Sequence, residues 1–335
     1  MPRTPAHPVT LWSQYLAARA AAMALDCFDI DRKLSVGRDI ARVFHRLDAR
    51  HRQRAADNLR LAFPDWPQAR LKQGVRDAFT HLVHLAIEVQ ASPRLMTQGS
   101  WPGRITIGRI GGALRILNAQ RPAIMLTGHI GNWEVLGYFL AFIGYRVDAV
   151  ARPLNNPLIN DWVLGLRERH GMRIITKFDA ADRMVEVLDS GGVLAFIADQ
   201  NAGDRGLFVP FFGKLASWYK SIGLLAMRAE VPIICGYTAR HPDRYEYHVD
   251  VVDIIEPGDW ADQPDPLFYI TARYARAIET MVRHAPDQYL WMHRRWKSRP
   301  RHEREGQPMP AKMRRQLESL PWMDEATMAS LAAAM

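Results

Sequence analysis

The sequence predicts an α/β fold: a mixed, mostly parallel sheet flanked by helices, with an N-terminal helical region and a short C-terminal helical tail. From about residue 121 onward, short apolar runs of strand length alternate with segments of helix length. Runs that are apolar throughout are typical of strands buried on both faces, and their alternation with helices indicates a sheet covered on both sides. Before that point, apolar residues recur at three- and four-residue steps, the period of a helix packed on one face.

The individual elements follow from these two patterns. The predicted strands are Ala123–Leu126, Val147–Ala151, Arg173–Ile175, Val193–Ala198, Val231–Gly236 and Tyr247–Val252. The predicted helices are Trp133–Phe142, Leu158–Arg169, Ala180–Leu188, Lys220–Ala229 and Tyr269–His284. In the N-terminal part, Pro64, Pro67 and Pro93 break the helical pattern, because proline lacks the N–H that a helix interior requires. We therefore divide the chain into a helical region at 1–95, an α/β core at 96–300 that forms a single domain with it, and a basic tail at 301–335.

Composition limits the classes of partner and of structural site. The chain has 44 Lys and Arg against 35 Asp and Glu, and this net charge of +9 favours an anionic partner such as acidic phospholipid, phosphorylated glycolipid, an acidic carrier protein or nucleic acid. Its two cysteines, Cys27 and Cys235, indicate neither a disulfide framework nor a zinc site. The apolar stretch Val9–Phe28 contains Arg19 and Asp26, each of which disfavours membrane insertion by ~2.5–3.5 kcal/mol. We expect it neither to span a membrane nor to act as a signal peptide.

The strongest candidate site is Thr127–Glu134, where a predicted strand ends and a helix begins. On one continuous helix, His129 and Glu134 would point about 140° apart, so we place His129 in the loop and Glu134 in the first helical turn. We expect Glu134 to accept a hydrogen bond from one imidazole nitrogen, which leaves the other free to take a proton. The sequence thus predicts a general base oriented by a carboxylate. Taken alone, an ordinary helix cap is the alternative.

Polar residues also follow two other predicted strands. Arg152 comes directly after one of them, and Asp199 and Gln200 come after another. The carboxyl ends of parallel strands meet at one edge of a sheet, so we expect these side chains to converge on His129. An arginine there suits a phosphate or a carboxylate. A surface arginine and a plain turn are the respective alternatives.

Two further segments are candidates for lipid contact. The block Leu207–Phe212 is densely apolar and carries Pro210, which a central strand resists, so we interpret it as a channel wall or a membrane-facing loop. An ordinary core loop is the alternative. The second segment has two tryptophans among basic residues: Trp291, His293, Arg294, Arg295, Trp296, Lys297, Arg299 and Arg301. It suits lipid phosphates or an anionic interface, where each Lys or Arg adds ~1 kcal/mol, although a solvated basic face or an RNA-binding surface also fits.

The sequence gives little indication of a metal or a nucleotide. His81, His84 and Glu88 share one face of a predicted helix, but helical histidine pairs without further acidic partners are usually structural, so we expect no metal. The chain has no GxSxG nucleophile elbow, P-loop or GxGxxG fingerprint. The common serine-hydrolase and nucleotide-binding classes are therefore not indicated.

The segment Gly128–Glu134 resembles the signature of the late acyltransferases of lipid A biosynthesis, the lauroyl and myristoyl transferases. These belong to a wider glycerolipid acyltransferase group in which four residues separate a histidine from an acid. Other segments are similar to the family's blocks in the same order along the chain: Arg54–Pro64, Arg152–Pro157, Ala198–Gln200 with Val209–Gly213, and Gln288–Pro300. The resemblance covers roughly residues 40–300.

The resemblance implies transfer of a fatty acyl group from an acyl-carrier-protein thioester, or from acyl-CoA, to a hydroxyl of a glycolipid similar to a lipid A precursor, without a cofactor. It implies that His129 removes the hydroxyl proton while Glu134 orients it, beside a hydrophobic acyl channel. Backbone amides near Gly131, or the side chains of Asn132 or Arg152, are its candidate oxyanion donors. The side chains that we expect to contact substrate are Asn132, Arg152, Asn155, Asp199, Gln200, Phe211, Arg294 and Arg295.

The resemblance also implies work at the cytoplasmic side of the inner membrane. Many relatives have an N-terminus apolar enough to span the membrane, whereas Arg19 and Asp26 interrupt it here. We expect peripheral attachment through an amphipathic N-terminal helix and a basic surface, with acyl carrier protein and a glycolipid or phospholipid as partners and no nucleic acid. The alternatives are acylation of a lysophospholipid or another glycolipid, a non-catalytic lipid- or carrier-binding protein, and an RNA-binding protein.

Overall fold

The computed structural model describes residues 7–151, 153–168, 171–176 and 180–333. Its α-helices are α1 Pro8–Asp26, α2 Ile30–Leu47, α3 Ala49–Ala62, α4 Gln68–Leu95, α5 Gly111–Asn118, α6 Trp133–Phe142, α7 Pro157–Glu168, α8 Ala180–Asp189, α9 Lys220–Ala229, α10 Pro266–His284, α11 Arg301–Arg304, α12 Ala311–Glu318 and α13 Glu325–Ala333. Its strands are β1 Ile105–Ile107, β2 Ala123–Thr127, β3 Val147–Ala151, β4 Arg173–Thr176, β5 Val193–Ile197, β6 Leu207–Phe211, β7 Lys214–Trp218, β8 Ile233–Arg240 and β9 Tyr247–Ile255.

The main sheet is mixed and mostly parallel, which confirms the predicted fold class. Its strand order is β1-β9-β8-β2-β5-β3-β4. β8 and β9 are antiparallel, and the other neighbouring strands are parallel. All five residues of β2 are buried, as expected for a central strand covered on both faces.

The register of β2 and β5 positions the candidate site. These two strands are parallel neighbours, and Thr127 at the end of β2 pairs with Ile197 at the end of β5. The pairing continues one step further, because the Ala198 N–H donates to the Thr127 carbonyl at 2.9 Å. Residues that follow the two strands therefore emerge side by side at the carboxyl edge of the sheet.

The N-terminal helices form a layer of their own. α2 packs against α4, and the Asp29 side chain caps α2 by accepting from the Arg32 N–H at 2.8 Å. Pro64 and Pro67 lie between α3 and α4, whereas Pro93 lies inside α4 and the helix ends two residues later. In the part of the chain that the structure describes, no helix has both the length and the apolar character needed to cross a bilayer.

The structure corrects our interpretation of the apolar block at 207–212 as a loop. Leu207–Phe211 is a strand, and it pairs with β7 in a separate antiparallel sheet of two strands. Pro210 is compatible with this position because each strand of a two-stranded sheet has a free edge, where a missing N–H breaks no ladder. Proline thus argued correctly against a central strand but not against every strand.

Candidate active site

His129 and Asp199 form a hydrogen-bonded pair at the carboxyl edge of the sheet. Each is the second residue after its strand, and the β2–β5 register sets them opposite each other. His129 Nδ1 lies 2.6 Å from Asp199 Oδ1, and the His129 backbone N–H donates to Asp199 Oδ2 at 3.0 Å. The Asp199 side chain is 0% exposed and that of His129 is 13% exposed, so the pair is anchored inside and open on one side.

The charge of Asp199 fixes the tautomer of His129. Burial alone would raise the pKa of the Asp199 carboxyl, but electrostatic attraction to the His129 imidazole and the hydrogen bonds from His129 hold this pKa well below its ordinary value. The ionised carboxylate has no proton to donate and only accepts, so the proton of the neutral imidazole is on Nδ1. Nε2 is therefore left as the basic nitrogen.

The structure corrects our expectation that Glu134 orients His129. The Glu134 carboxylate is buried and faces Arg167 of α7, whose Nε lies 3.0 Å from Oε1 and 2.9 Å from Oε2. Trp133 Nε1 donates to the same carboxylate at 3.2 Å. A buried carboxylate requires a charged or hydrogen-bonding partner, and here that partner comes from the facing helix. Glu134, which is close to His129 in the chain, is thus paired with Arg167 instead. The acid that binds His129 is Asp199, which follows the neighbouring strand β5.

Arg167 was missing from the candidate residues. Burial alone would lower the pKa of its guanidinium, but the charge of Glu134 raises that pKa above its ordinary value, so the guanidinium stays charged. One sequence feature could have identified Arg167: it is the single basic residue in the apolar segment Trp162–Arg167 of a predicted helix. Such a residue on a packed helix needs a buried acid, and Glu134 satisfies that need.

The loop that carries His129 is held at several points. Gly131 has a φ of +55°, and a Cβ there would lie 1.5 Å from the Thr238 carbonyl oxygen, so only glycine fits. The Gly131 N–H donates to the Gln288 carbonyl at 2.9 Å, and the Leu290 N–H donates to the His129 carbonyl at 3.0 Å. The segment after α10 therefore fixes this loop from one side.

Asn132 fixes the same loop from the other side. Its Oδ1 caps α6 by accepting from the N–H groups of Glu134 and Val135, both at 3.1 Å. Its Nδ2 donates to Glu88 of α4 at 2.9 Å, and Arg240 donates to the other oxygen of Glu88 at 2.8 Å. Asn132 and Glu88 are both 0% exposed, so Asn132 lies under the site rather than at its open surface. This position corrects our expectation that it contacts substrate or an oxyanion.

An apolar cavity adjoins the pair. It lies between α6, α7 and the strands β2, β3 and β5, and its space of about 670 Å³ includes the opening to solvent. Its apolar lining includes Leu136, Gly137, Leu140, Val150, Met172, Ile174 and Phe196, and its polar lining includes Thr127, Glu134 and Arg167. Trp133 also lines it, and the Trp133 ring packs edge-on against His129 with centroids 5.0 Å apart. One tryptophan therefore separates the imidazole from the apolar space.

The remaining residues predicted near the strand ends differ in position. Gln200 is exposed, and its Nε2 lies 3.4 Å from His129 Nε2. Asn155 is exposed in the turn before α7. Arg152 lies outside the described residues. Phe211 is 0% exposed and packs against Trp218 and Trp296 in the core, which corrects its assignment to a channel wall.

The basic C-terminal segment divides into exposed and buried side chains. Arg294 is exposed and lies near Arg54, whose Nη1 donates to the Met292 carbonyl at 3.1 Å. Arg295 is 1% exposed, donates to the Ser217 carbonyl at 2.8 Å and lies over the Trp218 ring at 4.1 Å. Of these two arginines, Arg294 is therefore the one available to a ligand at the surface.

Within the described ranges, one group of side chains has the composition of a metal site. It consists of His129, Asp199 and His293, whose ligand atoms lie within 4.8 Å of one another. The hydrogen bond to Asp199 already accounts for one nitrogen of His129. His81, His84 and Glu88 do not form such a group: His84 Nε2 lies 2.8 Å from the Leu34 carbonyl oxygen, and Glu88 binds Asn132 and Arg240.

Comparisons with known proteins identify the family of the chain. The family model of the bacterial lipid A biosynthesis acyltransferases matches residues 6–298. The lipid A biosynthesis lauroyltransferase of Escherichia coli K12 is 29% identical over 191 residues, which cover 56% of this chain and 60% of the lauroyltransferase. The myristoyltransferase of the same organism is 24% identical over 78% of this chain and 79% of its own, and acyltransferase 2 of Shigella flexneri is 22% identical over 80% and 85%. The chain belongs to the bacterial lipid A biosynthesis acyltransferase family.

Proposed function

We propose that this protein transfers a fatty acyl group from an acyl-carrier-protein thioester to a hydroxyl of a lipid A precursor. The observation that carries the proposal is the 2.6 Å His129–Asp199 pair beside an apolar cavity. A general base held by a buried acid suits proton removal from an alcohol, and the cavity suits an acyl tail. The E. coli relatives named above are a lauroyltransferase and a myristoyltransferase.

The proposed chemistry needs no covalent intermediate on the protein. His129 Nε2 takes the proton of the acceptor hydroxyl as its oxygen attacks the thioester carbonyl, while Asp199 stabilises the imidazolium that forms. Collapse of the tetrahedral intermediate breaks the carbon–sulfur bond, and the departing thiolate recovers the proton from His129. Trp133 and the Glu134–Arg167 pair line the cavity that we assign to the acyl chain.

Arg54 and Arg294 are our candidates for contact with a phosphate of the acceptor. Burial, followed by the charges of Arg294 and Arg50, lowers the pKa of Arg54 below its ordinary value, so cations predominate around it. Asn58 of the same helix donates to the carbonyls of Trp291 and His293 at 2.7 and 2.8 Å, which ties α3 to the segment beside His129. A phosphate that binds these guanidiniums would place the neighbouring sugar hydroxyls close to the base.

We further propose that the protein attaches peripherally to the cytoplasmic side of the inner membrane. In α1 no described residue is buried, and Val9, Trp12, Leu16 and Met23 are 69%, 52%, 57% and 66% exposed. At 100° per residue these four side chains fall within an arc of about 60° on one helix face. An exposed apolar stripe on a protein of net charge +9 suits the surface of an anionic bilayer.

The test is acyl transfer by the purified full chain, with acyl-carrier thioester and a phosphorylated glycolipid acceptor, followed by mass spectrometry. We expect His129→Ala to lower turnover by ~10²–10⁴-fold, because the base is lost. The exposed His248 on β9 provides the control, and His248→Ala should retain wild-type turnover. Equal turnover in His129→Ala and wild type would contradict the proposal. Transfer to lysophospholipid but not to glycolipid would contradict the assigned acceptor alone.

A further inference from the structure

A second imidazole packs against the proposed base. The ring of His293 meets that of His129 edge-on, with centroids 4.7 Å apart and planes at 78°. His293 is held in the segment that fixes the His129 loop, since its N–H donates to the Leu290 carbonyl at 3.1 Å and its carbonyl accepts from Asn58 at 2.8 Å. These contacts fix the main chain of His293 beside the loop that carries the proposed base.

The hydrogen bonding of His293 indicates which nitrogen carries its proton. Nδ1 is buried and has no hydrogen-bond partner among the described residues. Nε2 also makes no hydrogen bond to a described residue, but it is not among the buried atoms, so it is accessible to solvent. Orphaned buried N–H groups are rarer in native proteins than under-satisfied acceptors, which indicates that an unpaired buried N–H is the costlier of the two. The favoured tautomer therefore has the proton on Nε2, the nitrogen with access to the open side of the site.

His293 is neutral when the site is at work. Burial and then the neighbouring His129 lower the pKa of His293 to about 4, despite the opposing charge of Asp199. Two adjacent imidazolium ions would repel each other, so a proton taken by His129 keeps His293 uncharged. An imidazole that stays neutral donates a hydrogen bond without surrendering its proton.

Three of the N–H donors near His129 are already in use. The His129 N–H binds Asp199, the Gly131 N–H binds the Gln288 carbonyl, and Asn132 Nδ2 binds Glu88. Attack on a thioester carbonyl creates an oxyanion, and preorganised donors aimed at that oxygen are usually the largest catalytic contribution. Side chains from outside the loop also lie beside His129: the His293 ring is 4.7 Å away between centroids, and Nε2 of the exposed Gln200 lies 3.4 Å from His129 Nε2.

We propose that His293 is a second catalytic residue, whose Nε2–H donates to the oxyanion formed when the acceptor hydroxyl attacks the thioester carbonyl. This inference rests on the proposed function. As the new oxygen–carbon bond forms, the hydroxyl proton passes to His129 and the carbonyl π electrons move to the oxygen that His293 binds. When the carbonyl re-forms, the carbon–sulfur bond breaks, the thiolate takes the proton from His129, and His293 is unchanged.

The decisive comparison is between His293→Gln and His293→Asn in the acyl-transfer assay. The longer glutamine side chain can place an N–H near the position of Nε2, whereas asparagine places one near Nδ1. We expect His293→Asn to lower kcat by ~10²–10³-fold, as removal of one oxyanion donor does, and His293→Gln to recover at least about tenfold of that loss. KM for both substrates should stay within about threefold, because the donor acts in the transition state.

His302 provides a control for the loss of a buried histidine, since its Nε2 is also buried without a partner in the described chain. His302→Gln should retain wild-type kcat. Equal kcat for the glutamine and asparagine variants of His293, or a loss confined to KM, would overturn the role of His293. The proposed function itself fails differently, because wild type and His129→Ala would then transfer acyl groups equally.

Discussion

At the scale of single residues, Asp199 fixes the orientation of the His129 ring. The carboxylate binds both Nδ1 and the backbone N–H of the same residue, so the ring can neither flip nor turn without breaking a hydrogen bond to a charged group. Such bonds are worth roughly 1.5–3 kcal/mol each, more than a bond between neutral groups. A ring constrained in this way presents Nε2 to one side only.

Replacing Asp199 tests this role at the level of one atom. In Asp199→Asn the amide can still meet Nδ1, but it no longer stabilises the imidazolium, so we expect kcat to fall by ~10²–10⁴-fold. The acid limb of the pH–rate profile should move to lower pH, because loss of the negative charge makes the protonated ring less favourable. Asp204→Asn, at an exposed acid of the same loop, is the matched control for kcat and for the profile. An unmoved acid limb in a folded Asp199→Asn protein would show that another group holds His129.

Sequence alone predicted the position of His129 after a strand but not its hydrogen-bond partner. His129 is identified by local features, a strand end followed by two glycines and a helix cap. Glu134 was chosen because it is close in the chain, whereas Asp199 is 70 residues away and reaches His129 only through the adjacency and register of β2 and β5. Residue patterns predict that strands exist far better than they predict which strands are neighbours. The convergence of Asp199 on the same sheet edge was nevertheless predictable, because all parallel strands end there.

At the scale of elements, α6 contributes both to the His129 loop and to the wall of the cavity. Its N-terminus is fixed by Asn132 as part of the His129 loop, and its apolar side forms a wall of the cavity. Gly137 brings this helix close to Met172, since a Cβ at Gly137 would lie 2.5 Å from Met172 Sδ and 2.7 Å from its Cε. Both residues line the cavity, so the contact between them forms part of its wall.

Substitution at this contact should change the acyl chain that the protein prefers. Gly137→Ala would push the flexible end of Met172 into the cavity, and we expect preference for donors about two carbons shorter, by roughly tenfold in kcat/KM. Met172→Ala should shift the preference toward longer donors. Gly165→Ala on α7, where an added Cβ meets nothing within 4 Å, is the matched control and should leave the preference unchanged. The measurement is competition between thioesters of different acyl length, with the product masses as readout. An unchanged product distribution in both cavity variants would show that this cavity does not hold the acyl chain.

At the scale of the whole molecule, apolar and basic groups are unevenly distributed. The described residues of α1 expose an apolar stripe, and the end of α2 exposes Val43, Phe44 and Leu47 beside Arg42 and Arg46. Alternation of apolar side chains with arginines is typical of surfaces that rest at a lipid interface. Asn156 joins this layer to the core, since its Nδ2 donates to the Leu11 carbonyl of α1 at 2.9 Å and its Oδ1 accepts from the Leu158 N–H at the start of α7.

The apolar stripe of α1 gives the membrane proposal a direct test. Burial of a large apolar side chain is worth roughly 1.5–3 kcal/mol, so the double substitution Trp12→Asp and Leu16→Asp should weaken binding to vesicles of anionic phospholipid at least about tenfold. Leu224 on α9 is 51% exposed and provides the control, since Leu224→Asp alters an apolar residue of similar exposure outside the stripe and should leave binding unchanged.

Wild-type binding should weaken as salt is raised, because the charge of +9 contributes through screened attraction. Carbonate or high salt should likewise release the protein from isolated membranes. If it resists both washes, or if the α1 double variant binds as tightly as wild type, attachment does not occur through this stripe.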